Sequence, residues 1–352
     1  MALFMDPPLG GGPFYLSQAL AVVNRTHGGQ PVDKPLLDTT DDQVMTITVG
    51  NNGQAAVTNV FVQYWVCAFS AGMASSLYLP TAGGMKGKQI DPSSTSTHVV
   101  PAGLNHVFED PFKPTSAEVA PLADPLHPDA DFHACILANV FSGPPTPEGA
   151  KNPATATVPP TSDPAWNPAG NPRHAHRNIT LVTPDADAVD QLDFMMHVGN
   201  PDFRRKGTFE LEIRETLPRK GGFGPVDLGH LLRNPRIVAP KGRKALANRR
   251  PADALRGLAV RVGDELVPIE LPTEPLRELR IEGGKKAGPQ TQIALRADAA
   301  AQIRLQAGLP RTDNALRMFD VLQSRDGRPV GGARVLFLNV PPEPRRPDHG
   351  KG

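Results

Sequence analysis

The stretch Val44–Cys67, VMTITVGNNGQAAVTNVFVQYWVC, decides the fold. Val44 to Val49 alternates apolar and polar side chains, the period of a strand that buries one face. Asn51, Asn52 and Gly53 tolerate positive φ, so a reversal is placed there. Val57 to Cys67 resumes the alternation through Val60, Val62, Tyr64 and Val66. The pair predicts a hairpin or sheet-crossing strand pair of a β-sandwich.

Composition extends that reading to the whole chain. Of 352 residues, 39 are proline and 33 glycine, which interrupts helices every few positions and favours short strands joined by ordered loops. The length suits two domains, each with its own core. Lys and Arg total 37 against 36 Asp and Glu, so the net charge of +1 gives no global attraction for nucleic acid or a membrane surface. The basic residues lie mostly after Arg173, a bias expected of two domains of different origin.

The N-terminus lacks a basic region before an apolar run, so no signal peptide is expected, and no apolar run reaches the roughly 18 residues of a membrane span. Cytoplasmic synthesis follows, with an extracellular or particle-associated site reached only by a non-classical route. Cys67 and Cys135 fall on two strand-like segments. An inter-sheet bridge and a pair of buried free thiols both fit, and the lack of a secretory signal favours the thiols.

Along the chain, residues 1–40 read as an extended arm that packs on a neighbour or on the body. Residues 41–185 read as a first sandwich, in which HVVPAGLNHVFEDPFKP supplies a strand, a turn and a strand, FHACILANVF a buried strand, and HRNITLVTP the closing strand. Residues 188–340 read as a second sandwich. There Phe209, Leu211 and Ile213 face one way and Glu210, Glu212 and Arg214 the other, and Arg325-Asp326-Gly327 turns a final hairpin. PKGRKALANRRPADALRGLAVRV is the one stretch with helical character, and residues 341–352 read as a disordered tail. The fold class is all-β: tandem Ig-like sandwiches with long Pro/Gly-rich loops and an N-terminal arm.

The first half resembles the cell-adhesion-related bacterial Ig-like (CARDB) domain. Val49, Asn51 and Gly53 match its turn, Val60, Val62 and Tyr64 match its following strand, and FHACILANVF and HAHRNITLV resemble its last two strands. The resemblance covers roughly Thr40 to Val182, and the second half is only generally Ig-like. It implies a non-enzymatic module for adhesion, display or assembly.

Candidate chemistry is sparse. His174 and His176 share a strand face at i, i+2, a spacing that suits a metal, with His133 or Asp131 as third ligand if the strands pair. Histidines on a strand face beside a polar loop are the plainer reading. No Gly-x-Ser-x-Gly, phosphate loop or His-Glu-x-x-His motif is present, and no cofactor is implied. The basic cluster with Lys241, Arg243, Lys244, Arg249 and Arg250 lacks interleaved aromatics, which points to a solvated face or a protein contact before nucleic acid. Trp166, flanked by prolines, is a candidate partner anchor.

The expected function is a non-enzymatic structural or interaction protein, a subunit or accessory component of a larger assembly with protein partners or copies of itself. An adhesion module or a module binding a carbohydrate or surface ligand is the alternative, and a metal-dependent enzyme built on His133, His174 and His176 comes third.

Overall fold

The computed structural model describes residues 3–5, 14–17, 19–26, 30–32, 37–74, 77, 88–90, 99–119, 134–142, 168–182, 191–202, 204–217, 237–239, 255, 257–262, 264–308 and 316–338. Within them the regular structure is almost entirely β-strand, with one short helix, α1 (Ser116–Val119).

The Val44–Cys67 stretch forms β4 (Gln43–Asn51) and β5 (Val60–Ala68), and the turn between them sends each strand into a different sheet. Asn51 organises that turn. Its side-chain oxygen accepts from the Gly53 N–H at 2.9 Å, and its amide nitrogen donates to the carbonyls of Ala55 and Val100, each at 2.9 Å. An Asx turn of this kind replaces backbone ladder bonds where the chain leaves a sheet.

In the first sheet, β7 (Asn105–Pro111) pairs along one edge of β4. β1 (Leu3–Phe4) and β2 (Leu20–Asn24) share the other edge, and β3 (Gln30–Val32) lies outside β2. The described parts of residues 1–40 therefore pack on the body of the same chain. The second sheet runs β6 (Lys88–Ile90), β5, β8 (Ala134–Ser142), β9 (His174–Arg177). Leu20, Met45, Ile47 and Val49 from one sheet meet Val60, Val62, Tyr64, Ile136 and Val140 from the other, the inner faces of an antiparallel sandwich.

The second half contains a larger sheet, ordered β10 (Ile179–Val182), β20 (Arg328–Leu338), β19 (Leu316–Arg325), β12 (Gly207–Glu215), β17 (Gln290–Leu295). Facing it is a three-stranded sheet, β11 (Gln191–Gly199), β18 (Ala300–Gly308), β16 (Arg280–Glu282). Phe209, Leu211 and Ile213 point into the core between them, while Glu210 and Arg214 face outward, as the alternation requires. The β19–β20 hairpin closes through Asp326 and Gly327, both at positive φ (53° and 72°), the geometry of a type I′ turn.

A small sheet, β13 (Ile237–Val238), β14 (Ala259–Val262), β15 (Glu265–Pro268), covers part of the outer face of the large sheet. Ile237, Leu258, Val260 and Ile269 pack there on Leu316, Met318, Leu336 and Leu338. The segment with helical character thus ends in a strand, β14. Its alternating Ala-Val-Arg-Val finds ladder partners on both sides, which a local helix signal does not anticipate.

The two halves are joined through one core. Trp65, Cys67, Cys135, Leu137 and Phe141 leave the far face of the β5–β8 sheet and pack with Phe194, Phe209 and Phe319 of the second half. β5 was expected to bury one face, and it buries both. Two strands also cross between the halves. Beyond β5, Ser70 pairs in parallel with His197, and the Ala71 N–H donates to the His197 carbonyl at 2.9 Å. Beyond β9, the chain turns at Asn178 and continues as β10, parallel to β20. HRNITLVTP, read as the closing strand of the first half, is thus shared by both.

Candidate functional site

The histidine pair sits on β9, whose side chains at 174 and 176 share the face turned toward the common core. Cross-strand register places Gln63, Asn139 and His174 in one row, and Trp65, Leu137 and His176 in the next. All six are buried. Among the described residues, neither ring nitrogen of His176, the Trp65 indole nitrogen, nor the Gln63 side-chain oxygen has a hydrogen-bond partner. Desolvation drives the His176 imidazole from its usual value down to about 3, so the ring is neutral over the whole physiological range.

The i, i+2 spacing of His174 and His176 therefore gives a shared face, as expected, but a buried one. Among the described residues no group of three or more His, Cys, Asp or Glu side chains converges to hold a metal. His133 and Asp131, the alternatives for the third ligand, lie outside the described residues, as do Trp166, Lys241, Arg243, Lys244, Arg249 and Arg250.

Cys67 and Cys135 are buried free thiols, the state the sequence favours, and they lie directly opposite each other on neighbouring strands of one sheet, so the alternative of an inter-sheet bridge falls. The Cys67 sulfur donates to the Cys135 carbonyl at 3.4 Å, and the Cys135 sulfur to the Asn178 side-chain oxygen at 2.5 Å. Burial pushes the Cys67 thiol well up from its usual value, so it has no thiolate character at neutral pH.

Asn178 marks the junction between the halves. Its N–H donates to the Tyr15 carbonyl, its own carbonyl accepts from the Arg334 N–H, and its amide donates to the carbonyls of Ser70 and Gly332. Beside it the Arg334 guanidinium binds the Asp320 carboxylate through two bonds of 2.8 and 3.0 Å, and Thr216 donates to the same carboxylate at 2.8 Å. Tyr15 completes the cluster. Burial and then the nearby Asp320 raise its phenol far above the ordinary value, so its proton stays in place. A second buried pair, Arg317–Glu215 at 2.7 Å, lies on the same sheet. These groups tie backbone to backbone and hold charge in balance.

An open polar cleft lies farther along the outer face of the large sheet, beyond the part covered by β13–β15. Glu210 and Glu212 of β12, Gln290 and Gln292 of β17 and Ser324 of β19 form its floor, and Lys285 and Lys286 its wall, for a volume of about 730 Å³. Glu212 is held by Arg214, at 2.5 and 2.6 Å, and by the Gln290 amide at 3.1 Å, which together lower its carboxyl below the usual value. The alternation in GTFELEIRET put Glu210 and Glu212 on an outer face. Their convergence with Lys285 and Lys286 depends on β12–β17 pairing and left no mark in the sequence.

No protein-family model matches the chain, and no curated protein sequence does. Among solved structures, red sea bream transglutaminase aligns with 93% of this chain at 12% identity and a TM-score of 0.20. The chain spans 32% of that protein's length. CfaE, the adhesive subunit of the CFA/I fimbria of enterotoxigenic Escherichia coli, aligns with 97% of this chain and 93% of its own at 7% identity and a TM-score of 0.19. At these scores neither likeness carries an argument about fold or chemistry. The class that stands is all-β, built from several mainly antiparallel sheets.

Proposed function

We propose that the chain is a non-enzymatic structural or interaction protein, a subunit or accessory component of a larger assembly whose contacts are with protein partners or further copies of itself. In this reading its two halves are tandem Ig-like sandwiches, the first of the cell-adhesion-related bacterial type. The observation that carries the proposal is the middle sheet, β6–β5–β8–β9, which is packed on both faces and joins the two halves through one apolar core. A sheet packed in this way joins the two sandwiches rigidly, a property that a spacing component of an assembly needs. Among the described residues, the histidines, thiols and charged pairs of the interior are spent on packing and on joining backbone segments.

Contact surface is available at the first sheet. Val107 on β7 is 48% exposed and Leu104, just before that strand, 58%. Among the described strands β7 pairs with β4.

Residues 1–40 supply β1–β3, so truncating them would dismantle the first sheet, and the proposal is tested on the full chain. The measurement is native mass by light scattering over a range of concentrations, with chemical cross-linking. A mass that is a multiple of 37.6 kDa, reduced by the double substitution Leu104→Asp and Val107→Asp, is the expected result. A monomer at every concentration, with no partner captured by cross-linking in the native extract, would sink the proposal.

A further inference from the structure

The geometry points to the outer-face cleft of the large sheet as a binding site for an acidic saccharide, one that presents a carboxylate together with free hydroxyls. The inference does not rest on the assembly reading, since a monomer would bind as well as a subunit.

Three features of the cleft lead there. The first is its chemistry. Every side chain that lines it is polar, because Leu211, the one apolar member, turns its side chain into the core and contributes only backbone. Between these polar ends the aliphatic stems of the lysines, glutamates and glutamines contribute about as much apolar surface as polar, which suits a sugar ring with its C–H face and its hydroxyls. Carboxylates and amides recognise hydroxyls directly: Glu210 accepts, and the Gln292 amide both donates and accepts. Glu210 stands directly across the ladder from Gln292 on one side and Ser324 on the other, so the three groups form one continuous row.

The second feature is charge. Glu212 is already occupied by Arg214 and Gln290. Among the described residues Lys285 and Lys286 have no ion-pair partner, which leaves two ammonium groups on the wall free for a ligand's anionic group. Glu210 likewise has none, and as an acceptor it suits a hydroxyl and repels a second carboxylate. The cleft therefore favours a ligand with its acid at the wall and its hydroxyls over the floor.

The third feature is that the wall is built in advance. The Lys285 N–H donates to the Gln292 carbonyl at 2.8 Å, and the Lys286 N–H to the Thr291 hydroxyl at 3.3 Å. Gly283 adopts a φ of +99°, and Gly284 lies so close to Thr291 that a Cβ there would collide with its side chain. The two lysines thus project from a loop whose backbone is fixed onto β17, so binding has only their side chains to order. The open cleft offers about 730 Å³, within the range of roughly 300–1,000 Å³ typical of ligand sites, with room for more than one sugar ring.

The test uses the full chain and isothermal calorimetry with a tetrasaccharide of alternating glucuronic acid and N-acetylglucosamine. The same oligosaccharide with its carboxyls reduced to alcohols, and sodium acetate, serve as the other arms. The acidic form is expected to bind at least tenfold more tightly than the reduced form. Lys285→Gln with Lys286→Gln should erase that difference, and Glu210→Ala should weaken both forms. All of these side chains are exposed or half-exposed, and unchanged thermal unfolding will confirm that the variants fold. Equal binding of the two oligosaccharides, no binding of either, or acetate competing at the oligosaccharide's own concentration would overturn the inference. The last of these would reduce the cleft to a simple anion contact.

Discussion

Lowering the pH tests the buried histidine most directly. His176 is buried, without a hydrogen bond to either ring nitrogen among the described residues, and its imidazole titrates at about 3 in the folded chain against 6.5 when exposed. Because the folded-state value is depressed, the unfolded chain takes up the proton first. The folded state is therefore favoured fully above pH 6.5, and that advantage is lost progressively as the pH falls toward 3. Each pH unit in this window is worth about 1.4 kcal/mol, so between pH 7.5 and pH 5.0 the histidine alone removes about 2 kcal/mol.

The assay is urea unfolding at intervals across that range, followed by tryptophan fluorescence, to which the fully buried Trp65 contributes. His176→Leu fills much the same space beside Leu137 and Trp65 and does not titrate. Its stability should fall less steeply than the parent's, with the two curves converging or crossing by about 2 kcal/mol at pH 5.0. Other carboxylates and histidines affect both chains alike and cancel in the difference. Parallel curves for parent and variant would refute the reasoning, since they would mean that His176 is solvated or bonded in solution.

Two further substitutions examine the joint between the halves. Arg334→Met leaves the buried Asp320 carboxylate without its bidentate partner and should cost about 3–5 kcal/mol by chemical denaturation, with Asp320→Asn in the Met background recovering part of the loss. Gly331→Ala would drive a Cβ into the backbone carbonyl of Ala71, an atom that cannot move aside while the Ala71 N–H is bonded to His197. It should cost about 3 kcal/mol or prevent folding, whereas Gly327→Ala, at the open hairpin turn, should cost about 1 kcal/mol from its positive φ alone. Equal effects at the two glycines would show that the halves are not in close contact there.

The sequence by itself determined the strands and their faces. The alternation in Val44–Val49 and in Phe209–Ile213, the Asn51 reversal, made by side-chain bonds and without the positive φ expected of Asn51–Gly53, and the positive-φ Asp326-Gly327 hairpin are all local signals, because a period of two, an Asx turn and a tight hairpin are properties of neighbouring residues. The same signals put Glu210 and Glu212 on an outer face and His174 and His176 on a common one. Which face met what was decided only by the tertiary structure. Trp65 and His176 lie on the side of the β5–β8 sheet turned toward the second half because that sheet is covered on both faces. β9 runs on into β10 because Asn178 finds partners more than 100 residues away in either direction along the chain, at Ser70 and Gly332. Lys285 and Lys286 overlook Glu210 because β12 pairs with β17 across roughly 80 residues of chain. Pairings at that separation leave no periodicity to read, so the polar cleft and the joint between the halves exist only once the chain has folded.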